Sequence, residues 1–311
     1  MIPAAQTAVQ NLIGQYRSGA ISRREFFQKV AYATGSILLA QQLMLDYGFA
    51  SEMEIYDWPD PQDQPPPTPK ESIAAGEKRL PAQVAAEWVE YPSGEIKVGA
   101  YLAKPKAGGP FPAIIVIHEN RGLTEFVLDI AQRWALEGLL AVAPDCLSRA
   151  GGTAKFESMD AARQGIGQLD RAGVIADLLA TVEFLKSRKD VRKDKIGVSG
   201  FCWGGANTFN LATESKELAF AVPFYGAMRN LDRVGNVHCP VFAVYAENDQ
   251  GVNANLDELE AKMKELGKNY TRRVFPGTGH AFMNFTGTRY NADQAKIAWA
   301  EVTAFVKKVV G

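Results

Sequence analysis

The stretch Val198-Ser199-Gly200-Phe201-Cys202-Trp203-Gly204-Gly205 decides how this chain is organised. It follows a strand-like run at 195–198 and precedes a helix-like run at 206–212. The pattern G-x-C-x-G is typical of a sharp strand-to-helix turn, because glycine tolerates close backbone contacts and unusual dihedral angles. Such a turn lifts Cys202 into a cleft, and the N terminus of the following helix favours a thiolate there. The alternative interpretation is a glycine-rich connection that holds a buried cysteine.

The segments on either side of this stretch alternate between strand-like and helix-like patterns. Strands are predicted at 112–118, 139–143, 219–224, 241–246 and 272–275, and a hairpin at 87–91 and 96–103. Helices are predicted at 124–137, 168–186, 254–266 and 293–309. This alternation predicts an α/β fold with a mostly parallel central sheet and helices on both faces. Functional loops then gather at the carboxyl ends of the strands.

The composition is that of a globular protein and argues against several classes of partner. Of 311 residues, 47% are hydrophobic and 22% charged, which allows a substantial core. The formal net charge of −1 argues against binding to nucleic acid or to an anionic membrane. Three cysteines without C-x-x-C spacing predict neither a disulfide framework nor a metal site, and we expect no cofactor. No uninterrupted apolar run reaches membrane-spanning length.

Residues 1–50 differ in composition from the rest and have two interpretations. Ser22-Arg23-Arg24-Glu25-Phe26-Phe27-Gln28-Lys29, before an apolar stretch at 30–44, resembles a twin-arginine export signal with a small-residue cleavage site at 48–50. However, the lysine comes one position late, and Gln41-Gln42 interrupts the apolar stretch. The second interpretation is a retained N-terminal helical appendage that packs on the domain or on another subunit. A cytoplasmic location is preferred on these grounds, with periplasmic export as the alternative.

A proline-rich segment separates residues 1–50 from the α/β domain. The sequences Trp58-Pro59-Asp60-Pro61 and Pro65-Pro66-Pro67-Thr68-Pro69 predict extended polyproline structure. The predicted organisation is a helical appendage or signal at 1–50, a Pro-rich linker at 51–80 and the α/β domain at 81–311. An appendage on a linker also makes a homo-oligomer through arm exchange conceivable.

Two further polar residues fall where a reactive Cys202 would need them. Asp249 follows the strand at 241–246, and His280 follows the last strand. Nucleophile, acid and then histidine is the chain order of α/β-hydrolase triads. An imidazole takes and returns the proton of the nucleophile, and a carboxylate fixes the imidazole tautomer. Glu247 competes for the acid role, but Asp249 lies just beyond the strand and is preferred.

The loop after an early buried strand carries a fourth candidate residue. Glu119 ends that strand at the same edge of the sheet, although it could equally be a solvent-facing carboxylate paired with Arg121. In α/β-hydrolases this loop supplies one oxyanion-hole amide, and the residue after the nucleophile supplies the other. The backbone N–H groups of Asn120 and Trp203 are therefore the oxyanion-hole candidates. His118 has no acid at comparable spacing and is given no catalytic role.

Together these residues resemble the dienelactone hydrolase (carboxymethylenebutenolidase) family. The resemblance rests on Gly-Phe-Cys-Trp-Gly-Gly around Cys202, on Glu119 after a buried strand, and on Asp249 and His280, and it runs from about residue 85 to the C terminus. It implies an α/β-hydrolase fold with Cys202 as nucleophile, His280 as base and Asp249 as orienting acid. It also implies that Glu119 contacts the resting thiol and moves when substrate binds, which helps to generate the thiolate.

One position departs from the pattern of that family. Its members that act on dienelactones bind the substrate carboxylate through arginines, one of them four residues after the catalytic histidine, where this chain has Asn284. Arg163 lies out of register for the second arginine, and Arg121 or Arg289 could replace the missing charge. Substrate-binding residues are therefore left unassigned, and a dienelactone substrate is not expected.

The sequence predicts a hydrolase that cleaves a small-molecule ester or lactone through an acyl-enzyme on Cys202. A thioesterase or general carboxylesterase is the alternative among enzymes, because the triad does not distinguish these substrates. A non-hydrolytic ligand-binding or thiol redox-sensing protein is the alternative of another class. The complete set of Cys202, Asp249 and His280 argues against that alternative, since a sensor needs no such partners.

Overall fold

The computed structural model describes residues 67–311 and five isolated positions nearer the N terminus, which are Asn11, Leu12, Gln15, Ser18 and Lys29. Contacts divide the chain into Met1–Pro65 and Pro66–Gly311, and the elements below all belong to the second unit. Apart from those five positions, the predicted export signal or helical appendage at 1–50 lies outside the described residues, as does most of the Pro-rich linker. The expectations about cellular location and about an oligomer formed through the appendage lie outside them as well.

One sheet organises the described residues. Its strands are β1 (Val84–Ser93), β2 (Ile96–Pro105), β3 (Phe111–Ile117), β4 (Leu140–Pro144), β5 (Val191–Phe201), β6 (Leu218–Phe224), β7 (Val241–Asn248) and β8 (Tyr270–Gly279). Their order across the sheet is β1-β2-β4-β3-β5-β6-β7-β8. Strand β2 pairs antiparallel with β1 and β4, and the other neighbouring strands pair parallel. The predicted mostly parallel central sheet is confirmed.

Helices cover both faces of this sheet. They are α1 (Pro69–Lys78), α2 (Glu125–Leu136), α3 (Met159–Gly167), α4 (Arg171–Ser187), α5 (Trp203–Glu214), α6 (Gln250–Asn253), α7 (Leu256–Glu265) and α8 (Ala292–Val310). The helices α2 and α8 pack on one face, and α4, α5 and α7 pack on the other. Among the described residues, no helix has both the length and the apolar character that a membrane crossing requires.

Strand β3 shows why the central strands read as continuous apolar runs. Side chains alternate between the two faces of a strand. Accordingly Ala113, Ile115 and Ile117 enter one hydrophobic cluster, while Ile114 and Val116 enter the other. Because helices cover both clusters, both faces of the strand must be apolar. The carboxyl ends of β3, β5, β7 and β8 then share one edge of the sheet.

Helix α1 occupies residues that the sequence analysis assigned to the linker at 51–80. The N–H of Glu71 donates to Oγ1 of Thr68 at 3.3 Å, and the Thr68 N–H donates to the Glu71 carboxylate at 2.8 Å, which makes a capping box. Pro69 follows at the start of the helix, where its missing N–H costs nothing. The end of the predicted linker is therefore a helix that packs on α2.

Candidate active site

Cys202 lies at a strained turn between β5 and α5. Its backbone has φ 57° and ψ −113°, a left-handed conformation that non-glycine residues seldom adopt. The Cys202 N–H donates to the Phe224 carbonyl at 3.0 Å, which ties the turn to β6. A Cβ on Gly204 would overlap the carbonyl oxygens of Ile117 and His118 at the end of β3. Glycine is thus required for the turn and the loop after β3 to approach each other.

His280 is oriented by Asp249. The two residues follow β8 and β7, which are neighbours in the sheet, and Nδ1 of His280 lies 2.5 Å from Oδ2 of Asp249. Burial lowers the pKa of His280, but the hydrogen bond to Asp249 and the nearby Cys202 thiol outweigh it and raise that pKa to about 10. With Nδ1–H donated to Asp249, Nε2 is left for the thiol. The competing acid, Glu247, instead accepts from the N–H of Gly277 at 2.9 Å.

Glu119 is buried at the end of β3, and not solvent-facing. Asn284 donates from Nδ2 to Oε2 of Glu119 at 2.6 Å, while Oε1 is buried without a hydrogen-bond partner. Thr286 donates to Oδ1 of Asn284 from both its N–H and its hydroxyl, so the amide nitrogen is turned towards Glu119. Burial raises the pKa of the Glu119 carboxyl, opposed by the Asn284 hydrogen bond and by the charges of His280 and Arg121.

Tyr225 is a site residue that the sequence analysis missed. It follows β6 with φ 38°, and its fully buried ring lies 5.2 Å from the His280 ring. Its hydroxyl is buried without a hydrogen-bond partner. Burial raises the pKa of Tyr225 well above its usual range, and electrostatic interactions with Glu119 and Cys202 raise it further. Its position directly after a predicted strand was the signal that could have revealed it.

The loop after β3 presents the first oxyanion-hole candidate. Within the described residues, the N–H of Asn120 has no hydrogen-bond partner, and the N–H of Trp203 is in the first turn of α5, where no intrahelical partner exists. His118 holds this loop: Nδ1 donates to the Glu119 carbonyl at 2.6 Å, and Nε2 accepts from the Cys146 N–H at 3.1 Å. Burial lowers the pKa of His118, which suits a neutral imidazole that holds this loop.

The arginines considered for a substrate carboxylate lie in different places. Arg163 is exposed on α3 and pairs with Asp160 at 3.6 Å. Arg121 and Arg289 are exposed, but their charges act on the buried Glu119 carboxyl. Arg121 and Arg289 are therefore close enough to act on the site electrostatically, whereas Arg163 pairs with Asp160 on its own helix.

Comparison with known proteins identifies the family. The dienelactone hydrolase family model matches residues 98–310. The chain belongs to this family. It is 29% identical over 244 residues to a "Putative carboxymethylenebutenolidase" from Methylorubrum extorquens, covering 75% of this chain and 80% of the relative. The crystal structure of a "Putative Dienelactone Hydrolase" from Klebsiella pneumoniae matches with a TM-score of 0.67 and 26% identity, covering 72% of this chain and 98% of that chain.

Family membership confirms the predicted fold and class of enzyme. The chain is an α/β-hydrolase that acts on ester or lactone bonds. The thermophilic carboxylesterase EstE1, from a metagenomic library, shares the fold alone, with a TM-score of 0.59 at 15% identity over 78% of this chain and 95% of that chain. Helix α1 lies outside the matched range 98–310. It is therefore an addition to the part of the chain that the family model describes.

Proposed function

We propose that this dienelactone hydrolase family member cleaves its ester or lactone through Cys202, with His280 as base and Asp249 as orienting acid. The observation that carries the proposal is the placement of Cys202 at a strained turn before α5, beside an imidazole held by Asp249 at 2.5 Å. Strain at a reactive position persists only where the surrounding structure enforces it. Here Gly204 and the hydrogen bond to Phe224 enforce it.

The proposed chemistry has two steps. His280 takes the proton of the Cys202 thiol, the sulfur attacks the carbonyl carbon, and the N–H groups of Asn120 and Trp203 hold the resulting oxyanion. Collapse breaks the C–O bond, and His280 donates its proton to the departing alkoxide oxygen, which leaves an acyl-thioester on Cys202. Water then loses a proton to His280 and attacks the thioester carbonyl. The C–S bond breaks, the carboxylic acid is released, and the sulfur of Cys202 takes the proton back from His280.

The proposed role of Glu119 is to control the resting thiol. Its carboxylate is buried near Tyr225 and His280, and only one of its oxygens is hydrogen-bonded. A half-satisfied buried carboxylate is costly in free energy. That cost favours its displacement from the thiol when a substrate arrives, which is the movement that the family resemblance implies.

Asn284 favours substrates without a carboxylate at this position. Its side chain is engaged with Glu119 and Thr286 and carries no charge. A neutral amide cannot supply the charge-assisted bidentate contact that an arginine offers to a carboxylate. We therefore place ordinary esters and lactones, including those of general carboxylesterases, ahead of dienelactones.

The test is hydrolysis of a panel of aryl esters, thioesters and lactones, each with and without a carboxylate. Cys202→Ala should lose at least about 10⁴-fold in kcat, while Cys239→Ala, which changes a buried cysteine outside the site, should stay within about threefold. Mass spectrometry of the stalled reaction should show an acyl adduct on Cys202. Undiminished hydrolysis by Cys202→Ala would refute the nucleophile. Reversible oxidation of Cys202 without any acyl adduct would instead support the redox-sensing alternative.

A further inference from the structure

Helix α1 replaces a missing helix cap on α2. Thr124 is in the N-cap position of α2, but its side chain accepts no capping hydrogen bond. The Glu125 N–H instead donates to Oγ of Ser72, on α1, at 3.0 Å. Gly76 permits close packing, since a Cβ there would lie 2.9 Å from Cβ of Leu128. The start of α2, which follows the oxyanion-hole loop, is therefore held by a helix outside the family-matched range.

Arg79, directly after α1, joins α2 to the loop that follows His280. Its Nε donates to Oε1 of Glu125 at 2.5 Å. Its guanidinium lies over the ring of Phe285, 4.7 Å from the ring centroid. Phe285 is next in sequence to Asn284, the residue that donates to Glu119. One side chain thus contacts both the start of α2, which follows the loop that carries Glu119, and the loop that carries Asn284.

Aromatic contacts continue from Phe285 to the nucleophile turn. The Phe285 ring lies 6.2 Å from Phe126 on α2, and Phe126 lies 5.0 Å from Phe201 in an edge-to-face arrangement. Phe201 immediately precedes Cys202. A movement of Phe285 would therefore affect Asn284, its neighbour in sequence, and also the nucleophile turn, through the packed rings of Phe126 and Phe201.

We propose that Arg79 is a positioning residue for the active site: by pairing with Glu125 and stacking on Phe285, it holds the loop at 281–291 so that Asn284 keeps Glu119 in place. This inference rests on the proposed function. Arg79 touches neither the substrate nor the reacting atoms in that function, so its effect must pass through the loop. A displacement of about 1 Å at a catalytic group can cost about 100-fold in rate.

The test compares Arg79→Ala with Arg273→Ala. Arg273 is a matched control, because it also pairs with a glutamate, Glu301, and lies over a phenylalanine ring, that of Phe275, at 5.7 Å. We expect Arg79→Ala to lower kcat about tenfold with KM changed less than about threefold, because a misplaced Glu119 affects the chemical step. Arg273→Ala should stay within about twofold for both constants. Equal effects of the two variants would overturn the proposal.

A double-variant cycle tests the route through Asn284. If Arg79 acts by holding Asn284, Arg79→Ala should cost less than about twofold in kcat when Asn284 is already alanine. A full tenfold loss in that background would overturn the proposed route. Phe285→Leu, which keeps the pair between Arg79 and Glu125, should lower kcat in the same direction and serves if Arg79→Ala does not fold.

Hydrogen exchange gives a readout that needs no substrate. The loop contains amides bonded within it, such as those of Asn284 and Gly287. Exchange in 281–291 should be faster in Arg79→Ala than in the wild type, and unchanged in Arg273→Ala. If the wild type hydrolyses no substrate, the proposed function is refuted independently of Arg79. Hydrogen exchange would then be the test of whether Arg79 holds the loop. Identical exchange in the two variants would overturn its positioning role.

Discussion

The nucleophile turn and the loop after His280 reach the same site by different physical means. The turn is a short local segment held by backbone contacts: Cys202 is strained between β5 and α5, its N–H donates to Phe224, and Gly204 makes room for the end of β3. The loop is held by side chains of residues far away in the chain. Asn284 bonds to Glu119, 165 positions earlier, and Phe285 lies under Arg79.

Because of this difference, we expect the turn to tolerate fewer substitutions than the loop. Backbone atoms packed against the turn cannot move aside for an added side chain. Side chains that clamp a loop contribute modestly to stability, since exposed ion pairs such as that of Arg79 with Glu125 are worth about 0–1 kcal/mol. We therefore expect a side chain added at Gly204 to lower the stability of the protein strongly. Changes to the residues that clamp the loop, which are Arg79, Phe285 and their contacts on α1 and α2, should lower it by about 1 kcal/mol at most.

Gly204→Ala should have the largest effect, because the added Cβ would overlap the backbone of Ile117 and His118. We expect a loss of about 4 kcal/mol or more in the free energy of unfolding, measured by urea denaturation. Gly167→Ala is the control: it is in α3 with no atom within 4 Å of the added Cβ, and it should be neutral or stabilising by about 0.5 kcal/mol. If Gly204→Ala were as stable as the wild type, the turn would tolerate change as well as the loop does, and the proposed difference between them would be wrong.

Asp249→Asn should have the next largest effect, now on activity. Loss of the carboxylate that orients His280 should lower kcat by about 10³- to 10⁴-fold. The raised pKa of His280 means that the imidazolium persists up to about pH 10 in the wild type. The alkaline fall in kcat/KM should therefore lie near pH 10 and move to lower pH in the variant.

The same shift has a consequence for stability, and Glu247 offers the control. A folded pKa raised from 6.5 to about 10 stabilises the wild type fully below pH 6.5, and this contribution is lost as the pH rises through about 10. The wild type should thus lose its stability advantage over Asp249→Asn across that range. Glu247→Gln should keep kcat within about threefold. A larger loss from Glu247→Gln than from Asp249→Asn would reverse the assignment of the acid.

Ser72→Ala should have the smallest effect, and it tests the contact by which α1 holds the start of α2. Removing the hydroxyl that accepts from the Glu125 N–H should cost about 1 kcal/mol, seen as a fall of about 2–4 °C in Tm. Thr124→Ala is the control, because that hydroxyl is in the N-cap position but is buried without a partner. It should cost less than Ser72→Ala. The opposite order would mean that α2 is capped by its own residue.

Most elements were predictable because their patterns are local. The helix predicted at 293–309 is observed at Ala292–Val310, and the strand predicted at 219–224 at Leu218–Phe224. The helical region predicted at 168–186 is observed as α4, with α3 before it unpredicted. Helix α1 was missed because prolines dominated the interpretation of 51–80, although Thr68-Pro69-Lys70-Glu71 has the spacing of a capping box.

The candidate site was predictable where a polar residue directly follows a predicted strand. The strand-then-polar pattern marked Cys202, Asp249, His280 and Glu119, and the structure brings all four together. Their catalytic roles remain proposals. Tyr225 was missed because an aromatic residue was assigned to the core, although its position directly after a predicted strand matches that of the polar site residues.

The sequence by itself determined the fold, the family and the sharp turn at Cys202, because glycine spacing and hydrophobic periodicity act between near neighbours. Only the tertiary structure decided that Glu119 is buried, that Asn284 holds it, and that Arg79 braces the loop through Phe285. Such contacts join residues more than a hundred positions apart. They depend on how the sheet and helices pack, and a local sequence pattern does not specify which distant side chain a residue will contact.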